Sequence, residues 1–567
     1  MKSNYSNGNI FTEVAFHKFP RHKFNLGHFN KLTCNHGLAV PFFCDDVVPG
    51  DRIDCNTFGR IQLQPLATSS MQNLRAYFRY FYVPYRILWE DWDKFITQNP
   101  QDELLFDCPF FVARSIHLNI MSEPGTLSDY LGFGLYNILS FDDGFPIKME
   151  FREDALVQFN LWRFQAYHLI WDYYFRDENL QDPTTIELSR GLNSQISSDY
   201  LTQLLPVAYE KDYFTTALPW PQEGDPVNLS AYVSEYLLEG GGVVSTQGIV
   251  RFNDGTNGDS LSLYLGRADY AGGYVPAVTY GDTGDNYDGV SPHHLGVSVP
   301  PGQAVITNTP IPASTLSTSI NINDLRYSNA LQRFLERKAL GGSRPSEFYL
   351  SMYGVRVDDL RLGQPLYLGG GFVNVSVTDV ASTVETASLP QGTLAGNGKA
   401  FPAVSMNHPY YCQEFGVVLG IMYIRPELNY TQGLPRQVTN FKPLDYFNPV
   451  FAHLGEEAVM TSELVVKPDF RNVEIDNNDE IFGYQSRYAY LKHKRNEVHG
   501  DFKSSLSSWI LSAHFPTNVK LNDEFITVDQ NYDIFAIDDD TVHHYLVELY
   551  NDYQKESSMP NHVIPSL

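Results

Sequence analysis

The chain has 567 residues and a formal net charge of −26, because 66 aspartates and glutamates outnumber 40 lysines and arginines. A chain this acidic repels polyanions and acidic membranes, so a nucleic-acid partner must meet a locally basic region or a second, cationic molecule. Five cysteines without a CxxC pair argue against a disulfide framework, and the sequence suggests neither a signal peptide nor a membrane helix, so we expect synthesis in a cytoplasm without membrane insertion.

Residues 1–40 form a basic N-terminal arm in this otherwise acidic chain. Five cations stand in it against a single glutamate: Lys2, Lys18, Arg21, Lys23 and Lys31. The arm lacks helical periodicity and is predicted to be extended. Two roles stay open for it, a strap that lies over a neighbour or an arm that faces a polyanion.

The stretch CNHGLAVPFFCDD at 34–46 holds two cysteines, one histidine and two aspartates. Structural zinc sites use ligand pairs roughly two to four residues apart, with a second pair further on. Cys34 and His36 are too close together for that pattern, and Cys44 follows only after an apolar run. We therefore interpret the stretch as two buried cysteines that flank an extended apolar segment, and not as a metal site.

Three stretches have the composition of β-strands: RAYFRYFYV at 75–83, EFYLSMYGV at 347–355 and GFVNVSV at 371–377. The last one alternates, with Val373, Val375 and Val377 on one face. With 41 glycines and 33 prolines along the chain, these stretches predict many strands joined by long loops.

Three further stretches are predicted to be helices: 87–97, 153–175 and 323–340. The second, EDALVQFNLWRFQAYHLIWDYYF, has polar residues at helical spacing, which predicts one aromatic packing face and one solvated face that includes His168. The third ends at Gly341 and Gly342, as a helix C-cap requires.

Residues 226–320 differ in composition from the rest of the chain. They contain 14 of the 41 glycines, two cations, and many Asp-Gly and Asn-Gly turns. This segment is predicted to be a loop-rich surface insertion with short hairpins.

Signatures of catalysis are missing from the sequence, which contains no HExxH, GxSxG or CxxC motif. QGTLAGNGKAF at 391–401 departs from the phosphate-loop pattern at Thr393 and Ala400. The acids of DDDTVHH at 538–544 are consecutive, so their side chains diverge, and we interpret the stretch as a solvated acidic turn. We predict no catalytic residue, no cofactor and no bound metal.

A series of blocks carries a family resemblance. In chain order they are VPFFCDDVVPGD (40–51), FRYFYVPYRILWEDWDKF (78–95), FQAYHLIWDYYFRDENLQDP (164–183), DYFTTALPWPQ (212–222), LQRFLERKALGGSRPSEFY (331–349), YLGGG (367–371), IRPELNYTQGLPR (424–436), FAHLGEEAV (451–459) and DEIFGYQSRYAYLKHKRNEVHGDFKSS (479–505). Together, from about residue 20 to residue 515, they resemble the major capsid protein family of the Microviridae, in the gokushovirus-like branch of single-stranded-DNA bacteriophages.

The resemblance implies a mainly β fold, an eight-stranded antiparallel jelly-roll sandwich with long loop insertions containing a few α-helices. After the arm, residues 41–225 would form the first part of this shell domain. Residues 321–567 would form its second part and a C-terminal extension, and the insertion 226–320 would form a surface protrusion.

The same resemblance implies a structural function without enzymatic activity. Copies of the chain would form pentamers and then a T=1 icosahedral shell around circular single-stranded DNA, assembled in the bacterial host cytoplasm and present in the virion. A small basic DNA-packaging protein is the implied partner; pilot or spike proteins and a host surface receptor, bound by the insertion, are further candidates.

Packaged DNA and this chain are both acidic, so the inner face of such a shell needs local cations. The candidate DNA-facing residues are Lys18, Arg21, Lys23, Lys31, Lys492, Lys494 and Arg495. Bases could stack without sequence preference on Phe19, Phe24 or Phe29.

A carbohydrate-binding or carbohydrate-active β-sandwich is the alternative, because aromatic residues make up 14% of the chain. The two carboxylates of a glycosidase have no fixed spacing in sequence, so their presence stays open at this point. A secreted adhesin is a third class, which would need an export signal.

Overall fold

The computed structural model describes residues 20–68, 70–98, 107–136, 138–142, 145–222, 237–238, 242–244, 249–253, 260–264, 322–342, 344–381, 394–466, 481–511, 513–537, 539 and 541–561. The chain divides into two compact units. One unit comprises Met1–Glu223 and Leu335–Leu567, and the other comprises Gly224–Phe334.

The strands of the described residues are, in chain order, β1 (His22–Asn25), β2 (His28–Cys34), β3 (Val40–Val47), β4 (Arg52–Leu63), β5 (Leu74–Pro84), β6 (Phe110–Arg114), β7 (Ile138–Asp142), β8 (Phe145–Lys148), β9 (Leu156–Asn160), β10 (Leu237–Leu238), β11 (Gly242–Val244), β12 (Ile249–Asn253), β13 (Ser260–Tyr264), β14 (Leu366–Ala381), β15 (Leu394–Ala400), β16 (Ala403–Ser405), β17 (Tyr410–Tyr411), β18 (Gly416–Pro426), β19 (Glu456–Met460), β20 (Ile481–Ser486) and β21 (Tyr545–Ser557).

The α-helices of the described residues are α1 (Tyr85–Leu88), α2 (Trp92–Thr97), α3 (Ser115–Met121), α4 (Leu127–Tyr130), α5 (Trp162–Tyr174), α6 (Ser198–Thr202), α7 (Ile322–Gly341), α8 (Pro345–Tyr353) and α9 (Asp523–Ile526). None of them combines the length and the apolarity that a membrane-spanning segment requires. Short 3-10 turns lie mainly between residues 436 and 509.

Eleven strands of the first unit form one antiparallel network. Its order is β1-β21-β4-β15-β14-β5-β18-β3, with β2 beside β21 and with β16 and β17 beside β4. The long strand β14 belongs to both halves, since Leu366–Val375 pairs with β5 whereas Ser376–Ala381 pairs with β15. The network therefore curls into the predicted antiparallel sandwich of jelly-roll type, with eleven paired strands where the resemblance implied eight.

A large apolar core lies between the two halves of the network. It contains Phe42 of β3 and Phe78 of β5 from one half, and Tyr545 and Tyr553 of β21 from the other. The rings meet edge to face, with 5.4 Å between the centroids of Phe42 and Phe78, a geometry that aromatic pairs favour.

A second core covers the other face of β5 and β18. Alternate side chains of these strands, such as Phe81 and Leu419, pack there against Trp89, Trp162 and Tyr167 from the helical insertions. Both strands are therefore buried on both faces. This explains why their sequences are almost continuously apolar instead of alternating.

The predicted helix over 153–175 is only partly present. Residues Leu156–Asn160 form β9, which pairs with β6, and α5 begins at Trp162. The solvated face predicted for this helix is also wrong, because Gln165, His168 and Asp172 are each at most 5% exposed. The helix lies under the 184–200 segment, whose polar groups satisfy these side chains.

Asp172 and His168 show how the polar residues of α5 are satisfied. The Asp172 carboxylate accepts hydrogen bonds from the backbone and hydroxyl of both Thr184 and Thr185 at 2.7–3.1 Å. The two ring nitrogens of His168 lie 3.0 Å from Thr184 Oγ1 and from Tyr200 O. Buried polar groups of this kind are stable only when paired.

Other local predictions had mixed outcomes. Strands over 75–83 and 371–377 and the helix over 323–340 are confirmed, whereas the helix over 87–97 divides into α1 and α2. The strand predicted at 347–355 is wrong, since these residues lie mainly in α8. Pro345 at its first position and Gly354 in the left-handed region after its end are the start and stop signals of a helix.

The second unit contains a small antiparallel sheet of its own. Its strand order is β10-β11-β12-β13, in line with the short hairpins predicted for 226–320. The other residues of that segment lie outside the described part of the chain.

Candidate nucleic-acid interface

One outward face of the sandwich carries aromatic and charged side chains in rows. It is formed by β2, β21 and β4, in which every second residue points away from the core, and we call it the ladder face. β21 pairs with β2 on one side and with β4 on the other, so each outward residue of β21 has a neighbour on each side.

The first row of the ladder face is aromatic. Phe29 and Phe58 stand opposite Tyr550 on its two sides, and the ring centroids of Phe29 and Tyr550 are 4.8 Å apart. Phe29 is 70% exposed and Phe58 is 48% exposed. Ring faces that are open to solvent on a sheet can take stacked bases, as in other single-strand binding sheets.

The neighbouring row is charged. Lys31 Nζ lies 3.6 Å from Glu548 Oε1, and Arg60 Nη2 lies 3.4 Å from Glu548 Oε2. Two cations thus share one carboxylate, which leaves the row with a net positive charge. Pairs this exposed contribute little stability, so both cations can turn towards a phosphate at small cost.

A groove of about 650 Å³ lies along the charged row. Its lining includes Lys31, Arg60 and Glu548 of the charged row, together with Asp129 and Tyr130. The groove is polar and open, a shape that suits an extended, solvated ligand better than a small apolar molecule.

Arg21 and Lys23 lie at the far end of the same layer. Arg21 directly precedes β1, and Lys23 lies on it. Arg21 Nε lies 3.1 Å from Glu556 Oε1, and the guanidinium also donates to the carbonyl of Gly50 and lies 5.4 Å from the ring centroid of Tyr411. Lys23 stands opposite Glu556 in the ladder and is exposed. Arg21 therefore fastens the arm to the sandwich, whereas Lys23 faces solvent.

The LKHKR stretch belongs to a different part of the fold. Lys492 and Lys494 are exposed, but Arg495 donates to Glu463 O at 2.7 Å and pairs with Glu497 at 3.1 Å. Arg495 therefore holds a loop in place. Lys18 lies outside the described residues.

The candidate cations thus fall into separate groups. Arg21, Lys23 and Lys31 share the layer of β1, β2 and β21, while Lys492 and Lys494 belong to the stretch whose Arg495 holds the Glu463 carbonyl. Lys31 and Phe29 are candidates that the sequence predicts, whereas their row partners Arg60, Phe58 and Tyr550 are not. The signal was the strict two-residue alternation of YLVELYNDYQKES at 545–557, which indicates a half-buried strand.

The acidic end of CNHGLAVPFFCDD anchors the C-terminal strand. Lys555 Nζ lies 3.0 Å from Asp45 Oδ2, 3.4 Å from Asp51 Oδ2 and 2.8 Å from Asp46 O. Tyr553 adds a hydrogen bond from its hydroxyl to Asp45 Oδ2 at 2.7 Å. Asp45 and Asp46 are thus engaged in contacts within the chain, and these contacts join β3 to β21.

The cysteines and histidine of that stretch also have internal environments. Cys34 is buried and Cys44 half-buried, both are free thiols, and burial raises the pKa of each to about 12. His36 is fully buried with Nε2 3.1 Å from Asp529 O. Among the described residues, no group of three or more His, Cys, Asp or Glu side chains is placed to hold a metal ion.

The stretch DDDTVHH forms a turn in which Asp539 accepts hydrogen bonds from the backbone and hydroxyl of Thr541. His544 is fully buried and bonds to Asn35 and to Ile537 O, so it belongs to the core of the fold. Asp538 and Asp540 lie outside the described residues.

Comparison with known proteins gives one consistent result. The family model for the capsid protein (F protein) matches residues 12–567. Capsid protein VP1 of Chlamydia phage 1 is 30% identical over 615 positions, which cover 99% of this chain and 98% of that protein. Capsid proteins VP1 of Bdellovibrio phage phiMH2K and of Spiroplasma virus 4 are 30% and 28% identical, each over 92% of this chain and 90% of the relative.

Proposed function

Because the chain belongs to the capsid protein (F protein) family of the Microviridae, we propose that its copies assemble into a closed T=1 icosahedral shell around circular single-stranded DNA. The family is structural and not enzymatic, and the chain is a capsid protein of a phage virion. The carbohydrate-active alternative is set aside, since the family match extends over nearly the whole chain.

The full-length match is the observation that carries this proposal. A match that covers 98% of a phage capsid protein leaves no large part of that protein unaccounted for. The antiparallel sandwich supports it, because a rigid layer with long loops can present different loops to several neighbours at once.

Assembly is tested by purifying the expressed chain and following it by size-exclusion chromatography and negative-stain microscopy. We expect pentamer-sized intermediates and particles of uniform diameter. A chain that remains monomeric at high concentration contradicts the shell.

For the genome contact, we propose the ladder face together with the cations of the arm. The aromatic row offers stacking surfaces, and the charged row beside it offers Lys31 and Arg60 to phosphates. Lys18, Lys23, Lys492 and Lys494 remain candidates, whereas Arg21 and Arg495 are held by contacts within the chain. A small basic packaging protein would supply the rest of the counter-charge that a chain of −26 cannot.

The DNA contact is tested with Phe29→Ala and Phe58→Ala combined, measuring the affinity of dissociated subunits for a single-stranded oligonucleotide. We expect affinity to fall about ten-fold or more, since stacking on one ring contributes roughly 1–3 kcal/mol per base. Phe372→Ala is the matched control, an exposed ring on β14 outside the ladder face. Equal affinity for the double variant and the control removes the ladder face from the proposal.

The arm is tested in assembled particles. Replacing Lys18, Lys23 and Lys31 by glutamine should lower the DNA content of each particle while particle yield is kept, because Lys23 and Lys31 are exposed on the sheet and lie outside the core. Wild-type genome content in that variant excludes the arm as a DNA contact.

The insertion 226–320 is proposed as a protrusion used in host attachment, and assembly is proposed to take place in the bacterial cytoplasm. Deleting the insertion should preserve shells and abolish adsorption to the host. Unchanged infectivity contradicts the attachment role. Pilot or spike proteins and a host surface receptor are the partners to seek by cross-linking to this segment.

A further inference from the structure

Residues 437–454, which we call the apolar loop, expose large apolar side chains in close succession. More than half of the surface of each of these side chains is open to solvent: Val438, Phe441, Leu444, Tyr446, Phe447 and Val450. Val450 is the extreme, at 78% exposed. Single exposed apolar residues are ordinary, but six within thirteen positions mark an interaction surface.

The apolar loop has a defined conformation despite its exposure. Asp445 Oδ2 accepts the backbone N–H groups of Phe441 and Lys442 at 3.0 and 2.8 Å, and Tyr490 donates its hydroxyl to Asp445 O at 3.4 Å. The ring of Phe447 packs edge to face on Tyr488 with 5.0 Å between centroids. The exposed side chains are therefore carried on a preorganised turn, which lowers the entropy cost of docking.

The base of the loop is fixed by a partly buried charge network. Arg436 donates to Ala458 O at 2.7 Å and pairs with Glu457 and Glu463 at 2.9 and 3.1 Å. Just before it, Gly433 has φ of +81°, and a Cβ there would lie 2.2 Å from Glu463 O, so only glycine fits this turn. The loop is thus anchored at its start to β19 and the turn that follows.

The charge of the loop indicates what covers it. Residues 437–454 contain one lysine and one aspartate, so their formal net charge is zero in a chain of −26. Two copies of so acidic a chain repel each other, and they can approach at least cost where both surfaces are uncharged. A nucleic acid would need an excess of cations that the loop lacks.

We propose that the apolar loop is a contact between subunits, which docks on a second copy of this chain during shell assembly. This inference rests on the proposed shell function and adds the segment that makes the contact. Rigid aromatic and aliphatic anchors on an uncharged turn are the usual core of such an interface.

The test is a pair of substitutions at one residue, Val450→Glu and Val450→Thr, in the full-length chain. Val450→Glu buries a charge only if a neighbour covers the loop, so we expect particle yield to fall by about ten-fold or more. Val450→Thr has nearly the same shape and adds a hydroxyl but no charge, so it should assemble in much higher yield than Val450→Glu, because burying a hydroxyl costs far less than burying a charge. Leu444→Lys, with the opposite charge, should fail like Val450→Glu, which excludes an effect of net charge alone.

Thermal melting of each dissociated subunit checks that the variants fold, as the exposure of Val450 predicts. Wild-type yield from both charged variants overturns this inference and leaves the shell proposal standing. Charged variants that form normal shells but lose DNA or host adsorption assign the loop to those partners and overturn it equally. A wild-type chain that forms no particle overturns both proposals.

Discussion

Substitution of Lys555 is the strongest test of the contacts that hold the C-terminal strand β21 in place. It is nearly buried on β21, within 3.0 Å of Asp45 and 3.4 Å of Asp51, and Asp51 is fully buried. Replacing Lys555 by methionine keeps the length of the side chain but leaves two carboxylates without their cation. Asp45 keeps the hydrogen bond from the Tyr553 hydroxyl and Asp51 keeps one from the backbone N–H of Val48, but Asp51 Oδ1 has no hydrogen-bond partner among the described residues, so the charge of Asp51 would be left without a cation.

The expected cost follows from that burial. Removing one partner of a buried ion pair costs about 3–5 kcal/mol of the free energy of unfolding, because the remaining charge is stranded in a medium of low dielectric. Adding Asp51→Asn to Lys555→Met should recover at least about 1 kcal/mol, since it removes the fully buried charge. The recovery distinguishes stranded charge from lost packing.

The assay is urea unfolding of dissociated subunits at neutral pH, followed by tryptophan fluorescence. Lys31→Met is the matched control, a strand lysine paired with a carboxylate on β21 but with a side chain 76% exposed, and it should cost less than about 1 kcal/mol. The reasoning is refuted if Lys555→Met costs no more than Lys31→Met, or if Asp51→Asn adds a further loss.

Three more predictions concern other parts of the fold. Burial lowers the pKa of His36 and of His168 from 6.5 to about 4, so protonation favours the unfolded chain. The free energy of unfolding that is present above pH 6.5 should therefore fall as the pH falls towards 4, by roughly 3 kcal/mol for each histidine. Unfolding midpoints in urea that stay constant from pH 7 to pH 4.5 would disprove this. Gly370→Ala should prevent soluble expression, because a Cβ there lies 2.0 Å from Phe78 O at a φ of +155°; a soluble variant with the wild-type melting temperature contradicts it. Arg344→Lys should cost about 1–3 kcal/mol in urea unfolding, because lysine cannot reproduce the three bonds at 2.8–3.0 Å from Arg344 to the carbonyls of Asp172 and Tyr173 at the end of α5 and of Arg176 just beyond it. A loss below about 0.5 kcal/mol speaks against that role.

Local sequence patterns correctly predicted those elements that pack one face against the protein and expose the other face to solvent. The alternation of Val373, Val375 and Val377 gave β14, since one face of that strand is packed and the other is exposed. The helix α7 was predicted over 323–340 with its end at two glycines, and it ends at Gly341. In both cases the residue pattern is set by the element itself.

The same patterns failed where a second layer covers the element. The polar side of α5 was assigned to water because Gln165, His168 and Asp172 share helical spacing, yet Thr184 and Tyr200 supply their partners from outside the helix. For α8, aromatic residues favoured a strand over the proline and glycine that define its ends. For α5, hydrogen-bond partners from elsewhere in the fold allow the polar side to be buried. For α8, the residues at the two ends of the segment favour a helix over a strand.

The candidate site was predictable on one strand and not across strands. Phe29 and Lys31 could be proposed from the composition of the arm, but Tyr550 and Arg60 become their neighbours only through pairings with strands distant in sequence. Charge counting also overvalued Arg495, whose guanidinium holds the carbonyl of Glu463. A cation has a structural role when folding brings backbone carbonyl groups next to it, and the sequence alone does not show which carbonyl groups these are.

The ladder between β4 and β21 joins residues 52–63 to residues 545–556. An early strand of the chain can therefore pair fully only after the last strand has been synthesised. At a synthesis rate of about 5–20 residues per second, roughly 25–100 s separate the two on the ribosome. During that time the edge of β4 that pairs with β21 has no partner strand, and an unpaired edge of this kind is open to pairing with other chains. A polypeptide released before residue 545 lacks the strand that joins β2 to β4 and cannot complete this layer, so we expect truncated translation products to fold incompletely and to be left out of the shell.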